Sequence, residues 1–304
     1  MNRIVEEFKH AFKRPDNGLM QLLVINLVVF VVLLILEVIL TLSGFKSLYD
    51  AIVLQLMMPS NVETFITRPW TLFTYFFTHT GFFHILFNML FLYWFGRLIA
   101  EYLGNRKVVS LYVLGGIAGG LFFMLIYNIL PYFQDRVATS AMLGASAGVF
   151  AVTVGAATLM PNYTFVLFLI GPVKIKYIAV FYVFVSFVQT IGNNAGGELA
   201  HLGGALVGFL FIKQLQGGTD WGRPVWAVLD FFNGLFSRRS KIKVSHSSRS
   251  SSRSAYNANT GRTINITPKA DQDEIDAILD KISESGYESL SKEEKQKLFN
   301  ASKK

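Results

Sequence analysis

Apolar residues in this chain come in long blocks separated by short polar breaks. Residues 1–19 are polar and include Arg3, Lys9, Lys13 and Arg14. An apolar run from Met20 to Leu42 follows, carrying Asn26 and, near its end, Glu37. Further runs cover about 82–102, 107–130, 146–160, 175–190 and 198–215. Runs near 20 residues match the roughly 30 Å hydrocarbon core of a bilayer when helical. The pattern therefore predicts an all-α membrane protein, a bundle of six transmembrane helices with one short member. Glu37 lies close enough to the end of its span to reach interfacial water. Residues 44–80 form a long connection holding Leu54-Gln55-Leu56-Met57-Met58 and Pro69-Trp70. That stretch is too apolar for an aqueous loop, so it is expected to be partly immersed, with Trp70 as an interfacial anchor. Residues 161–174 should turn, because Gly171-Pro172 breaks a helix.

The fourth run is the informative one. Gly144-Ala145-Ser146-Ala147-Gly148 precedes it, and Pro161-Asn162 stops it. A helix from Ser146 to Met160 is about 22 Å long, too short to cross a bilayer unaided. If its C-terminal end reaches one surface, Ser146 is submerged below the other. Backbone at that depth must be buried in protein or line a water-filled cavity. A hydroxyl at a helix N-terminus also sits where the dipole favours developing negative charge. That suits a nucleophile, although small residues there also permit close helix packing and nothing more.

Composition agrees with the class: 52% of the 304 residues are hydrophobic and only 16% charged. There is no cysteine, so a disulfide framework and a cysteine-based metal site are excluded. The net charge of +8 would suit nucleic acid, but much of the excess follows the last span. There it would face anionic lipid, so no nucleic-acid partner is expected. On the N-terminal side, Lys and Arg number four in 1–19, three in 97–107 and two in 161–176. On the other side they number two in 44–79, one in 131–143 and none in 191–198. The positive-inside rule puts both termini in the cytoplasm and opens Ser146 to the opposite side. A signal-less, cysteine-free six-span chain suggests a bacterial plasma membrane.

The expected organisation is a tail at 1–19, a six-span core at 20–215, an interfacial helix and basic linker at 216–270, and a helical hairpin at 271–304. Trp221, Val225, Leu229, Phe232 and Phe236 give the interfacial helix an apolar face. From Arg238 to Lys269 there are eight basic residues and no acidic one, among many serines, as in a disordered, lipid-attracted linker. Asp271 with Glu274, and Ser291 with Glu294, have capping-box spacing. The hairpin is expected to dock to something.

A serine needs a base and an oxyanion site before it is a nucleophile. Of five histidines, His10 and His246 lie in polar tails, whereas His79, His84 and His201 all fall near the ends of spans on the Ser146 side. Gly204 and Gly208 share a helix face with His201, so another helix can approach closely there. If that is the fourth, the imidazole comes within reach of Ser146; otherwise His201 is a packed histidine. His84 and Asn88, four apart, share one face and can both donate hydrogen bonds. With the Ser146 backbone N–H they would make an oxyanion hole. His79 is off that face and is assigned to loop ordering. Zinc would need a different pattern, such as H-E-x-x-H, so no metal or other cofactor is expected. Asp16, Asp50 and Asp135 all lie outside the spans, which excludes an aspartyl mechanism.

Taken together, these pieces resemble the rhomboid family of intramembrane serine proteases. His79-x4-His84-x3-Asn88, GASA at 144–147 and Ala200-His201-x2-Gly204-x3-Gly208 match three family motifs in order. The likeness covers roughly residues 20–215. It implies Ser146 as nucleophile, His201 as general base and then acid, and His84, Asn88 and the Ser146 amide as oxyanion hole. Phe150 falls where the family has a ring stacked on the histidine, Gly144 where the motif has its glycine, and Glu101 where it has a structural acid. Trp70 is followed by Thr71 where the family often has arginine, and Ala147 stands for the commoner glycine after the serine. The implied reaction hydrolyses a peptide bond in the outer part of a substrate's transmembrane helix. Because a buried carboxylate is costly in a membrane, a Ser–His dyad is expected, with Glu198 the one candidate orienter. The alternative is a catalytically silent relative that only binds membrane proteins. A transporter would show repeated halves, which are absent.

Overall fold

A computed structural model describes residues 17–167, 170–236 and 268–301. The tail at 1–16, with His10, and most of the basic linker, with His246, lie outside the described residues. A helix occupies each of the six predicted segments: α1 (Gly18–Leu42), α5 (Phe82–Leu103), α6 (Asn105–Ile129), α7 (Ser146–Leu159), α8 (Ile175–Gln189) and α9 (Ala195–Gln216). Four of them, α1, α5, α6 and α9, are long and apolar enough to cross a membrane, while α7 and α8 are shorter apolar helices. The connection at 44–80 is more folded than its loop assignment. It contains α2 (Lys46–Leu56), β1 (Met58–Pro59), α3 (Val62–Thr67), α4 (Thr71–Thr74) and a 3₁₀ turn at Tyr75–Phe77. Within it the Trp70 indole N–H donates to the Gln55 carbonyl at 2.9 Å.

Burial ranks the helices. The apolar window of α9 is 56% buried and that of α1 only 28%, so α9 lies inside and α1 at the periphery. The centre is a trio of α6, α7 and α9 whose contacts are made by small residues. A Cβ on Gly204 would fall 2.0 Å from the Ala147 carbonyl oxygen, and one on Gly208 2.3 Å from that of Ala151. Contacts advancing by four residues on both helices make α7 and α9 parallel and in step. On the other flank Gly115 faces Ala151 and Gly119 faces Ala147, so α6 runs antiparallel to α7. Without a hydrophobic driving force between helices in lipid, such close approach supplies the packing energy.

A chain of paired polar groups runs through the bundle. Asn26 is fully buried in α1 and its amide donates to the Leu22 carbonyl at 2.9 Å and the Tyr112 hydroxyl at 3.0 Å. Tyr112 in turn donates to the Phe76 carbonyl at 2.6 Å. This chain of bonds ties α1, α6 and the folded connection together. Glu37 meets Tyr49 of α2 at the far end of α1, in keeping with an interfacial position.

Two minimal sheets qualify the all-α reading without touching the core. β1 pairs antiparallel with β2 (Ala141–Met142), and β3 (Thr164–Leu167) pairs with β4 (Gly171–Lys174). The second replaces the plain turn expected at 161–174. The first matters more, because it fastens the segment before Ser146 to the connection before α5. Ser60 reinforces it: its hydroxyl donates within 3.0 Å of the Val137 and Ser140 carbonyls.

After α9, α10 (Arg223–Phe236) is pinned near the start of α6. The Trp226 indole donates to the Arg106 carbonyl at 2.9 Å, Arg106 lies over the Trp226 ring, and Lys107 bonds Asp220. The chain divides into two compact units, the second beginning at Arg239. In that second unit α11 (Pro268–Ser285) and α12 (Lys292–Ala301) form a hairpin. Gly286 has φ +76°, a left-handed value that ends α11. Ser291 and Glu294 form a reciprocal capping box, at 3.2 and 2.7 Å. The box expected at Asp271 does not start a helix, since α11 already begins at Pro268.

Candidate functional site

Ser146 is the first residue of α7 and is half-buried. The first turn of a helix leaves its N–H groups without intrahelical partners. The Ala145 N–H is taken, donating to His79 Nε2 at 3.2 Å. Ser146 has its own N–H and its hydroxyl beside a cavity of about 370 Å³. His84, Asn88, Phe150 and His201 line the same cavity, with Phe83, Phe87, Phe91 and Tyr182 as apolar walls.

Each side chain arrives there for a local reason. His201 lies one turn before Gly204, and Gly204 rests against Ala147, so the imidazole is level with the start of α7. Phe150, one turn after Ser146, lies flat on His201, with ring centroids 4.3 Å apart at an interplanar angle of 8°. Gly144 has φ +122° and packs on the His84 ring, where any Cβ would come within 2.7 Å of two ring atoms. A side chain there would both strain the backbone and displace the imidazole. Asn88 uses one amide hydrogen on the His84 carbonyl at 2.8 Å, and its second remains for the cavity. Gly208 serves the packing of α9 on α7. Glu101 is exposed at the opposite end of α5, remote from the site.

His79 is 1% exposed and its ring meets that of His84 edge-on at 5.1 Å. Since Nε2 accepts the Ala145 N–H, the proton sits on Nδ1, which points toward the Phe77 carbonyl without forming a well-aligned bond. Burial first, and then neighbouring His84, holds its pKa down to about 3. The folded state therefore resists a proton that the unfolded chain accepts near the ordinary value of 6.5. Stability from this group is complete above that value and falls as pH drops toward 3. The slope is about 1.4 kcal/mol per pH unit. The thermal midpoint in detergent should fall between about pH 7 and about pH 5. His79→Gln, which keeps an acceptor for Ala145, should flatten that slope; an unchanged slope would assign it to other groups.

The candidate dyad has further polar company at His201. Packing alone does not fix the imidazole, because His201 Nδ1 lies 3.1 Å from Glu198 Oε2 and 3.0 Å from Ser186 Oγ. The desolvation cost that argued against a carboxylate is offset by hydrogen bonds at its buried position. Glu198 was legible as a candidate from its spacing of three to His201. Ser186 was not, because it comes from α8, and nothing in the sequence pairs the two helices. Among the described residues, no three His, Cys, Asp or Glu side chains cluster as a metal site would require.

Residues 67–216 match a family model described as the rhomboid domain, and residues 262–304 match a family of unknown function, DUF6576. The chain is 30% identical over 161 residues to RHOMBOID-like protein 12, mitochondrial, of Arabidopsis thaliana, covering 50% of this chain and 48% of that one. It is 30% identical over 163 residues to Rhomboid-like protein 16, chloroplastic, of the same plant, covering 50% of each. It is 33% identical over 144 residues to Rhomboid protein 1, mitochondrial, of Saccharomyces cerevisiae, covering 44% of this chain and 38% of that one. The chain thus spans about half or less of the length of these relatives. Their organellar names overturn the expectation of a bacterial plasma membrane. The physical reason is that hydropathy and charge bias distinguish the two sides of a membrane and do not identify which membrane it is.

Proposed function

Because the chain belongs to the rhomboid family through its residues 67–216, we propose that it is an intramembrane serine endopeptidase. The observation that carries this reading is the single cavity at the N-terminus of α7 that Ser146, His201, His84 and Asn88 share. As Ser146 Oγ attacks the scissile carbonyl carbon, its proton passes to His201 Nε2. The carbonyl oxygen becomes an oxyanion, held by the Ser146 N–H, the free Asn88 amide hydrogen and the His84 ring. His201 then gives its proton to the leaving amine, forming an acyl-enzyme. Water, deprotonated by the same imidazole, attacks the acyl carbon; the bond to Ser146 Oγ breaks, and the imidazolium returns the proton to Oγ as the acid leaves.

The substrate is the transmembrane helix of another protein, opened near the surface on the Ser146 side, and the membrane is an organellar inner one. The basic linker at 238–269 adds attraction to anionic lipid on the opposite side. Treatment of detergent-solubilised protein with a serine-directed phosphonate or isocoumarin should label Ser146. A label that persists in Ser146→Ala would refute the assignment.

A further inference from the structure

We propose that Glu198 and Ser186 are positioning residues for His201, so that the working group is a Ser–His–Glu relay. This rests on the endopeptidase reading above. Two bonds meet at His201 Nδ1, from Glu198 Oε2 at 3.1 Å and Ser186 Oγ at 3.0 Å. An ionised carboxylate only accepts, so Nδ1 carries the hydrogen and Nε2 keeps its lone pair. That is the tautomer a general base for Ser146 requires. Ser186 shares the Nδ1 hydrogen and has its own hydroxyl proton for the Glu198 carboxylate.

The restraints on the ring are complementary. Phe150 covers one face and sets the plane. Glu198, one turn before His201 on α9, and Ser186, from α8, set the rotation within that plane. Two helices thus hold the same nitrogen, and a shift of either would misdirect Nε2. The Glu198 side chain is only 10% exposed, an expensive place for a charge, and its polar neighbours His201, Ser186 and Asn194 converge on this one spot. When Ser146 yields its proton, His201 becomes an imidazolium with a hydrogen on each nitrogen. Its charge then lies beside the carboxylate, and the Nδ1 hydrogen stays on nitrogen throughout. His84 of α5 and Tyr182 of α8 also face the cavity, but neither bonds Nδ1.

The test uses the full chain in detergent, a single-span reporter and separate kcat and KM values. Glu198→Gln keeps the size, removes the charge and allows the wrong tautomer; it should lower kcat roughly 10- to 100-fold with KM within about 2-fold. Glu198→Asp should recover part of the loss, and Ser186→Ala should lower kcat by roughly 3- to 10-fold. Thermal midpoints of the same samples separate lost folding from lost positioning. If Ser146→Ala and His201→Ala are dead while folded Glu198→Gln keeps kcat within about 2-fold of wild type, the relay is overturned and the protease reading stands. If Glu198→Gln does not fold, Ser186→Ala decides, and an unchanged kcat there overturns the proposal. Cleavage that survives Ser146→Ala would instead bring down the reading on which the relay rests.

Discussion

Ser146→Ala and His201→Ala are each expected to reduce cleavage of a single-span reporter by roughly 10³-fold or more. The reporter carries glycine or proline in the half of its span nearest the Ser146 surface, so that the helix opens there readily. The two losses should not multiply, because nucleophile and base act as one unit: the double variant should be about as inactive as either single one. Ser146 is half-buried at a helix start, so Ser146→Ala should keep a thermal midpoint near the wild type. His201→Ala takes the stack from Phe150 and a partner from buried Glu198, so its midpoint should fall while the fold is retained. Residual cleavage above about a tenth of wild type in folded Ser146→Ala would mean that another group attacks the peptide.

Gly204→Val should be nearly as damaging, for a different reason. A Cβ at this position would lie 2.0 Å from the Ala147 carbonyl oxygen, and that atom belongs to backbone, which cannot rotate away. The helices must separate, losing the contacts that Gly208 makes with Ala151 one turn later. Overpacking of this kind costs about 3 kcal/mol or more. Because His201 and Ser146 are carried on these two helices, a displacement of about 1 Å also costs about 100-fold in rate. Gly204→Ala should show the same effects in weaker form. Gly234→Ala is the control, since Gly234 has nothing within 4 Å and lies on an exposed part of α10. It should be neutral or slightly stabilising. A folded Gly204→Val with wild-type midpoint and rate would show that the close approach of α7 and α9 is dispensable.

Both predictions depend on residues that the sequence already singled out, and the reason is physical. Apolar runs in a bilayer have few alternatives to helix, because backbone polar groups must be satisfied within the segment. The six helices therefore appear in the structure within a few residues of the predicted runs. The spacing of His84 to Asn88, and of His201 to Gly204 and Gly208, sets a helix face without reference to any neighbour. A short helix opening on Ser146 followed from counting residues against bilayer thickness.

Other features depended on contacts between segments distant in the chain. The apolar connection at 44–80 gave no sign that Trp70 would reach Gln55, or that Met58 and Pro59 would pair with Met142 and Ala141. Ser186 is an ordinary serine in an apolar run until α8 packs beside α9. The sequence could set Glu198 three residues before His201 and weigh the cost of burying it, whereas the structure supplies Ser186 and Asn194 as further partners that offset that cost. Local geometry and an apolar solvent are enough to set the six apolar helices, the faces they carry and the place of Ser146 at the start of a short one. The meeting of Ser186 with His201 Nδ1 was left to the tertiary structure, because a hydrogen bond between two helices depends on distances that no spacing along one of them encodes.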